Sequence, residues 1–217
     1  MRLVSEAPAV RQRPIATIVL AALTSIVTLA LWATGPEQSF ADTVGFVPAR
    51  LSGLVDWPGA VPALLTPLSA TFAHGNAAHL GMNMLVLLYV GTQVERVLGK
   101  GALLFAYVVG AYVSAMAQWA VDPGSINPMI GASGAISALF GIYALMFGKV
   151  KRVTGRFAVD RTLHALWLLV AWVVLQWMTT ALMSTSGMLL ATPAHIGGFV
   201  GGLLMQRPLL LWKYRKA

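Results

Sequence analysis

The chain has 217 residues, of which 58% are hydrophobic and only 10% charged, with a mean hydropathy of +0.75. A soluble domain carries roughly 25% charged residues, so a soluble globule is excluded. The net charge of +8 comes from basic residues at chain ends and in short loops, not from a basic face interleaved with aromatics, which excludes a nucleic-acid partner. With no cysteine there is no disulfide, thiol nucleophile or thiolate metal site.

Several apolar runs of about 20 residues suit a hydrocarbon core of about 30 Å, and in lipid such runs must be helices. The expected fold class is an all-α polytopic membrane protein with six transmembrane helices. Residues 1–14 form an N-terminal cytoplasmic segment and Ile15–Thr34 the first span. The alternative of a cleaved signal peptide over 2–34 is disfavoured, because its apolar stretch is long and its removal leaves five spans. A loop over 35–73 follows, with Pro36, Pro48, Pro58, Pro62 and Pro67, too long for a plain connection. Short interfacial helices are expected there around 46–55 and 61–68. The remaining spans are Ala78–Val97, Ala102–Val121, Met129–Phe147, Leu163–Met183 and Met188–Leu209. The membrane domain thus covers 15–209, and a basic cytoplasmic tail covers 210–217. The fifth span carries Trp167, Trp172 and Trp177 and is expected to face lipid or the interface. The fourth and sixth are rich in Gly, Ala and Ser.

Six spans put fourteen of the 15 basic residues on one side, Arg50 being the exception. That bias predicts both termini in the cytoplasm. The expected location is a bacterial plasma membrane.

The fourth span opens with Gly131-Ala132-Ser133-Gly134, and Ser133, Ser137 and Gly141 share a helix face. In the sixth span His195, Gly198 and Gly202 share another. Faces of small residues let helices approach closely in lipid. If these two meet, Ser133 and His195 come within hydrogen-bond reach. A serine hydroxyl beside a neutral imidazole is an activated nucleophile. The competing reading of Ser133 is a small packing residue, but an ionisable side chain within a span argues for function. Span two opens with His74, His79 and Asn83, the last two on one face and able to donate hydrogen bonds to a developing oxyanion. His74 and His79 could instead be structural hydrogen-bonders or metal ligands, although no carboxylate or cysteine clusters beside them. Glu95, sixteen residues beyond His79, lies about 24 Å along the helix and suits a structural tie at its far end.

These three motifs, His-x4-His-x3-Asn, Gly-x-Ser-Gly and Ala-His-x2-Gly-x3-Gly, closely resemble those of the rhomboid family of intramembrane serine proteases, over about 74–205. The resemblance implies a Ser133–His195 dyad without a third carboxylate or a cofactor. It implies an oxyanion site of His79, Asn83 and the Ser133 backbone amide. Gly131 keeps the backbone beside Ser133 open, His74 organises the loop, and Gly134, Gly198 and Gly202 support the site. The implied partners are the lipid bilayer and transmembrane protein substrates, cut near the extracytoplasmic surface, with no metal and no nucleic acid. Two departures stand out. Ser137 occupies the position four after the nucleophile, where many members have an aromatic residue against the base, so that His195 is held less rigidly unless Tyr143 or another aromatic compensates. The first loop lacks an adjacent Trp-Arg pair. A catalytically inactive relative that binds membrane proteins is the alternative. A transporter fits less well, since its polar residues would line a path through both leaflets.

Overall fold

The structure is a computed structural model that describes residues 13–184 and 191–215. The described residues are helical apart from loops and one isolated bridge between Phe46 and Met129. The helices are α1 (Ile15–Thr34), α2 (Glu37–Val44), α3 (Pro48–Leu51), α4 (Thr66–Ser69), α5 (Ala77–Val86), α6 (Thr92–Leu98), α7 (Lys100–Val121), α8 (Ser133–Phe147), α9 (Phe157–Ser184) and α10 (Thr192–Lys213). A π-helical turn, Leu87–Gly91, joins α5 to α6 into one rod.

Among the described residues, four helical segments are long and apolar enough to cross a bilayer: Ile15–Thr34, Ala77–Leu98, Lys100–Val121 and Phe157–Leu175. The other two expected spans, α8 and α10, fall outside that set for a physical reason. The 15 residues of α8 reach only about 22 Å, and α10 spends much of its surface on glycine. Both are walled by protein, with α10 packed along α7 and α8, so neither needs a fully apolar exterior. α10 begins at Thr192 and runs to Lys213, past the expected end at 209; the expected start at Met188 lies outside the described residues.

Small residues make the central trio possible. A Cβ on Gly198 would overlap the Gly134 carbonyl, one on Gly202 the Ala138 carbonyl, and one on Gly141 the Phe199 carbonyl. The chains therefore meet backbone to backbone, where van der Waals contact replaces the hydrophobic driving force that lipid does not supply. α1 and α9 sit outside this trio. α1 exposes Ile18, Val19, Leu23, Ile26 and Leu29 and buries Thr17, Thr24 and Thr28. α9 exposes Leu163, Leu166, Trp167 and Val170, as expected of a lipid-facing helix, but Trp172 turns inward and stacks on Phe199 at 5.0 Å and 11°.

Two ties hold the periphery. At one end, Glu95 accepts from the Ala16 and Thr17 amides at 3.0 and 2.8 Å and from Thr17 Oγ1 at 2.7 Å. This carboxylate caps the start of α1, which has no side-chain cap of its own. At the other end the first loop folds over the bundle. It forms α3 and α4 near the expected positions, and additionally α2. Its Arg50 donates to the Val61 carbonyl at 2.9 Å and lies 5.9 Å from the Trp57 ring centroid. A Trp–Arg contact is thus present, made by residues seven apart rather than adjacent.

Gly202→Val should lower the thermal unfolding midpoint in detergent, at a cost of about 1–3 kcal/mol from overpacking. Gly101→Ala, where an added Cβ meets nothing within 4 Å, should leave it unchanged or slightly higher. Equal midpoints for both variants would contradict the backbone contact between α8 and α10.

Candidate active site

Ser133 is the first residue of α8, and His195 lies one turn into α10. Because both helices run away from the same end of the bundle, their glycine faces bring the two side chains together. Ser133 Oγ and His195 Nε2 are 2.7 Å apart. His195 is buried and Ser133 half-buried. At the first position of a helix the Ser133 backbone N–H has no intrahelical acceptor and sits in the positive field of the helix end.

The turn entering α8 is held from three sides. Gly131 has φ +113°, a left-handed region that side chains avoid, and an added Cβ would stand 2.7 Å from His79 Nε2. The Gly131 amide donates to the Ala70 carbonyl at 2.9 Å. The next amide, Ala132 N–H, donates to His74 Nε2 at 3.3 Å. Since a backbone amide can only donate, His74 Nε2 is the acceptor and the ring proton is on Nδ1. That Nδ1–H donates to Thr28 Oγ1 at 3.1 Å, and the Thr28 hydroxyl in turn donates to the Phe72 carbonyl at 2.9 Å. Trp32 Nε1 donates to the His74 carbonyl at 2.7 Å. Both His74 nitrogens are thereby committed to protein groups. Among the described residues, no three His, Cys, Asp or Glu side chains are grouped as a metal site.

His79 and Asn83 project from the first turns of α5. Asn76 caps this helix, its side-chain oxygen accepting from the His79 amide at 2.9 Å. The His79 ring packs edge-on to His74, with centroids 4.9 Å apart, and lies over Gly131. Asn83 Nδ2 donates to the His79 carbonyl at 2.9 Å, which occupies one of its two N–H groups and leaves the other for a second acceptor.

Of the supporting residues, Gly134 lies against Ser114, which donates to the Ala194 carbonyl at 2.9 Å and so ties α7 to the turn before His195. Ser137 Oγ donates to the Ser133 carbonyl at 2.7 Å. Tyr143 does not substitute for an aromatic residue at 137: its hydroxyl pairs with that of Tyr89 at 3.1 Å, and its ring lies 4.9 Å from Phe147, far down α8. On the base side, Trp172 Nε1 donates to the His195 carbonyl at 3.3 Å.

Sequence reasoning missed Thr28, Ser114 and Trp172. For Thr28 a signal existed, because Thr17, Thr24 and Thr28 fall on one face of a largely apolar span. Ser114 and Trp172 carry no such pattern.

These features define an all-helical integral membrane protein with a serine–imidazole pair set into one end of its bundle. A family model described as "Rhomboid domain" matches residues 62–212. The chain belongs to the rhomboid family. It is similar to the "Rhomboid protease GlpG" of Pectobacterium atrosepticum, 34% identical over 137 residues, covering 63% of this chain and 45% of that protein. It is also similar to the "Rhomboid protease GluP" of Bacillus subtilis, 31% identical over 151 residues, 69% of this chain and 26% of that one. A third relative is the "Rhomboid protein 1, mitochondrial" of Saccharomyces cerevisiae, 26% identical over 153 residues, 66% and 41% of the two chains. The chain thus spans less than half the length of each of these relatives.

Thr28→Val should leave the buried His74 Nδ1–H without an acceptor and lower stability by about 1–3 kcal/mol, whereas Thr28→Ser should restore it; equal midpoints for Val and Ser would contradict the relay. Burial, and to a lesser extent the neighbouring His79, push His74 down to about 3 from an ordinary 6.5. The unfolded chain then takes up this proton first, so stability should fall as pH drops from about 6.5 towards about 3. Unfolding midpoints measured across that window should fall less steeply in His74→Gln; identical slopes would assign the effect to other groups.

Proposed function

We propose that the chain is an intramembrane serine endopeptidase that hydrolyses peptide bonds in transmembrane segments of other membrane proteins. The observation that carries this reading is the 2.7 Å approach of Ser133 Oγ to His195 Nε2, in a chain whose family includes proteins named as proteases. Ser133 attacks the scissile carbonyl carbon while its hydroxyl proton passes to His195 Nε2. The resulting oxyanion is received by the Ser133 backbone amide, the His79 ring and the free N–H of Asn83. His195 then donates its proton to the leaving amine, and an ester to Ser133 remains. Water adds to that ester as His195 takes a proton from it; the second tetrahedral species then collapses with cleavage of the bond to Ser133 Oγ, His195 returns the proton to that oxygen, and the new carboxyl terminus is released.

His74 and Gly131 act on this reaction by positioning. They hold the Ala132–Ser133 backbone, and therefore the oxyanion-binding amide, in place before a substrate arrives. Gly134, Gly198 and Gly202 set the separation of nucleophile and base.

The same reading takes six crossings, with α8 and α10 as the two central ones, over a membrane domain of 15–209 flanked by an N-terminal segment 1–14 and a basic tail 210–217. The charge bias supports cytoplasmic termini, and on this reading Ser133 and His195 face the extracytoplasmic side. Bacterial relatives support a bacterial plasma membrane as the location. Substrates of this site are membrane helices that unwind near the outer boundary, since an intact helix keeps its carbonyls hydrogen-bonded.

Cleavage of a fluorescent transmembrane-segment substrate by the purified protein in liposomes tests the mechanism. Ser133→Ala and His195→Ala should each lower the rate by about 1000-fold or more. Cleavage that survives both substitutions would overturn the assignment, and a wild type that cuts none of several substrates would favour an inactive relative that binds membrane proteins.

A further inference from the structure

The opposite end of the bundle holds a cavity of about 630 Å³, opening between the start of α1, the corner joining α6 to α7, and the end of α10. Arg13, Lys100, Lys213 and Arg215 line it, against the one carboxylate of Glu95. That carboxylate is already spent on the α1 amides and Thr17. The cations come from three segments distant in sequence, and the fold collects them around one concavity, where they repel one another unless an anion sits among them.

The cavity is shaped by specific contacts. Gly99 has φ +88° at the α6–α7 corner, and Lys213 Nζ stands 3.3 Å from where its Cβ would be, so the ammonium takes the place of a side chain. Tyr214 donates to the Val97 carbonyl at 3.2 Å, fixing the end of α10 beside that corner. Arg215 lies over the Trp212 ring at 5.6 Å. On its open side the cavity runs into apolar surface: Ile15 lines it and is 60% exposed, with Ile18 exposed one turn further along α1. A soluble anion would use only the cations. A lipid uses both parts, its phosphate among the cations and its acyl chains along α1. The cavity also lies at the ends of spanning helices, the depth at which headgroups sit.

We propose that this cavity binds the phosphate-bearing headgroup of an anionic phospholipid. The site is independent of the proteolytic chemistry, which lies at the other end of the helices.

The test is native mass spectrometry of the full chain released from nanodiscs of phosphatidylcholine containing about one-fifth phosphatidylglycerol. The wild type should retain phosphatidylglycerol in preference to phosphatidylcholine. Lys100→Gln/Lys213→Gln should weaken that retention by about thirtyfold, the effect expected of two cations at an anionic surface. Lys149→Gln/Lys151→Gln, an equal charge change in the loop after α8, should not. If the first pair fails to fold, as judged by its unfolding midpoint in phosphatidylcholine alone, Lys213→Gln decides the matter with an expected loss of about fivefold. Equal losses in the two lysine pairs, or no lipid preference in the wild type, would overturn the proposal. Displacement of phosphatidylglycerol by millimolar inorganic phosphate would assign the cavity to a soluble anion and overturn the lipid assignment.

Discussion

Between α8 and α10 no side chain intervenes at three contacts: Gly198 lies on the Gly134 carbonyl, Gly202 on that of Ala138, and Gly141 on that of Phe199. A methyl group at any of these positions would push the helices apart, and a serine and an imidazole on opposing backbones have short reach. The 2.7 Å separation of Ser133 and His195 is therefore a property of the helix interface more than of the two residues. In a membrane this arrangement has a second advantage. Lipid gives two helices no hydrophobic reason to associate, so close backbone packing is also what holds the centre together.

A protein built around such an interface must still satisfy the polar groups that its short helices and turns leave open. Two side chains do this at opposite ends. Glu95 caps α1 with three hydrogen bonds. His74 fastens the backbone before Ser133 and is itself oriented through Thr28 of α1. α1 thus contributes no group to the proposed chemistry, yet it supplies the anchor of the histidine that holds the Ala132 amide. Its threonines Thr17, Thr24 and Thr28 are buried together with Leu20 and Ala21, while Ile18, Val19, Leu23, Ile26 and Leu29 are left to the lipid.

How much of this could be read in advance depended on whether the information was local. The spacing of Ser133, Ser137 and Gly141 and of His195, Gly198 and Gly202 defines two faces, and pairing them needed only the rule that small faces meet. The distance from His79 to Glu95 along one helix was equally legible. The relay from Thr28 to His74 was not, because the threonine face of the first span marks Thr28 as inward but does not show which group, 46 residues away, it meets. The inward turn of Trp172 was misread for a related reason. Three tryptophans on a bulky helix average to a lipid-facing element, and only the position of Phe199 on α10 singles one out. The fourth span is expected from Met129, whereas α8 begins at Ser133, because the bridge that ties Met129 to Phe46 leaves no trace in composition.

Ser137 shows how the same pressure on backbone separation reaches the base. Its Cβ lies 3.2 Å from where a Cβ of Gly198 would stand, so the residue four after Ser133 is part of the α8–α10 contact itself. A serine here permits the close approach and sends its hydroxyl to the Ser133 carbonyl, but it gives the imidazole no ring to lean on. The His195 backbone is held instead from the other side, by the indole N–H of Trp172, which is in turn stacked on Phe199 one turn further along α10. The consequence is an uneven frame. Ser133 is fixed by the central trio and by the turn that His74 holds, whereas part of the hold on the His195 backbone runs through α9, whose Leu163, Leu166, Trp167 and Val170 are exposed. Trp172 therefore links α9 to the backbone of His195, while the Ser133 side of the pair is reached through α1 and His74.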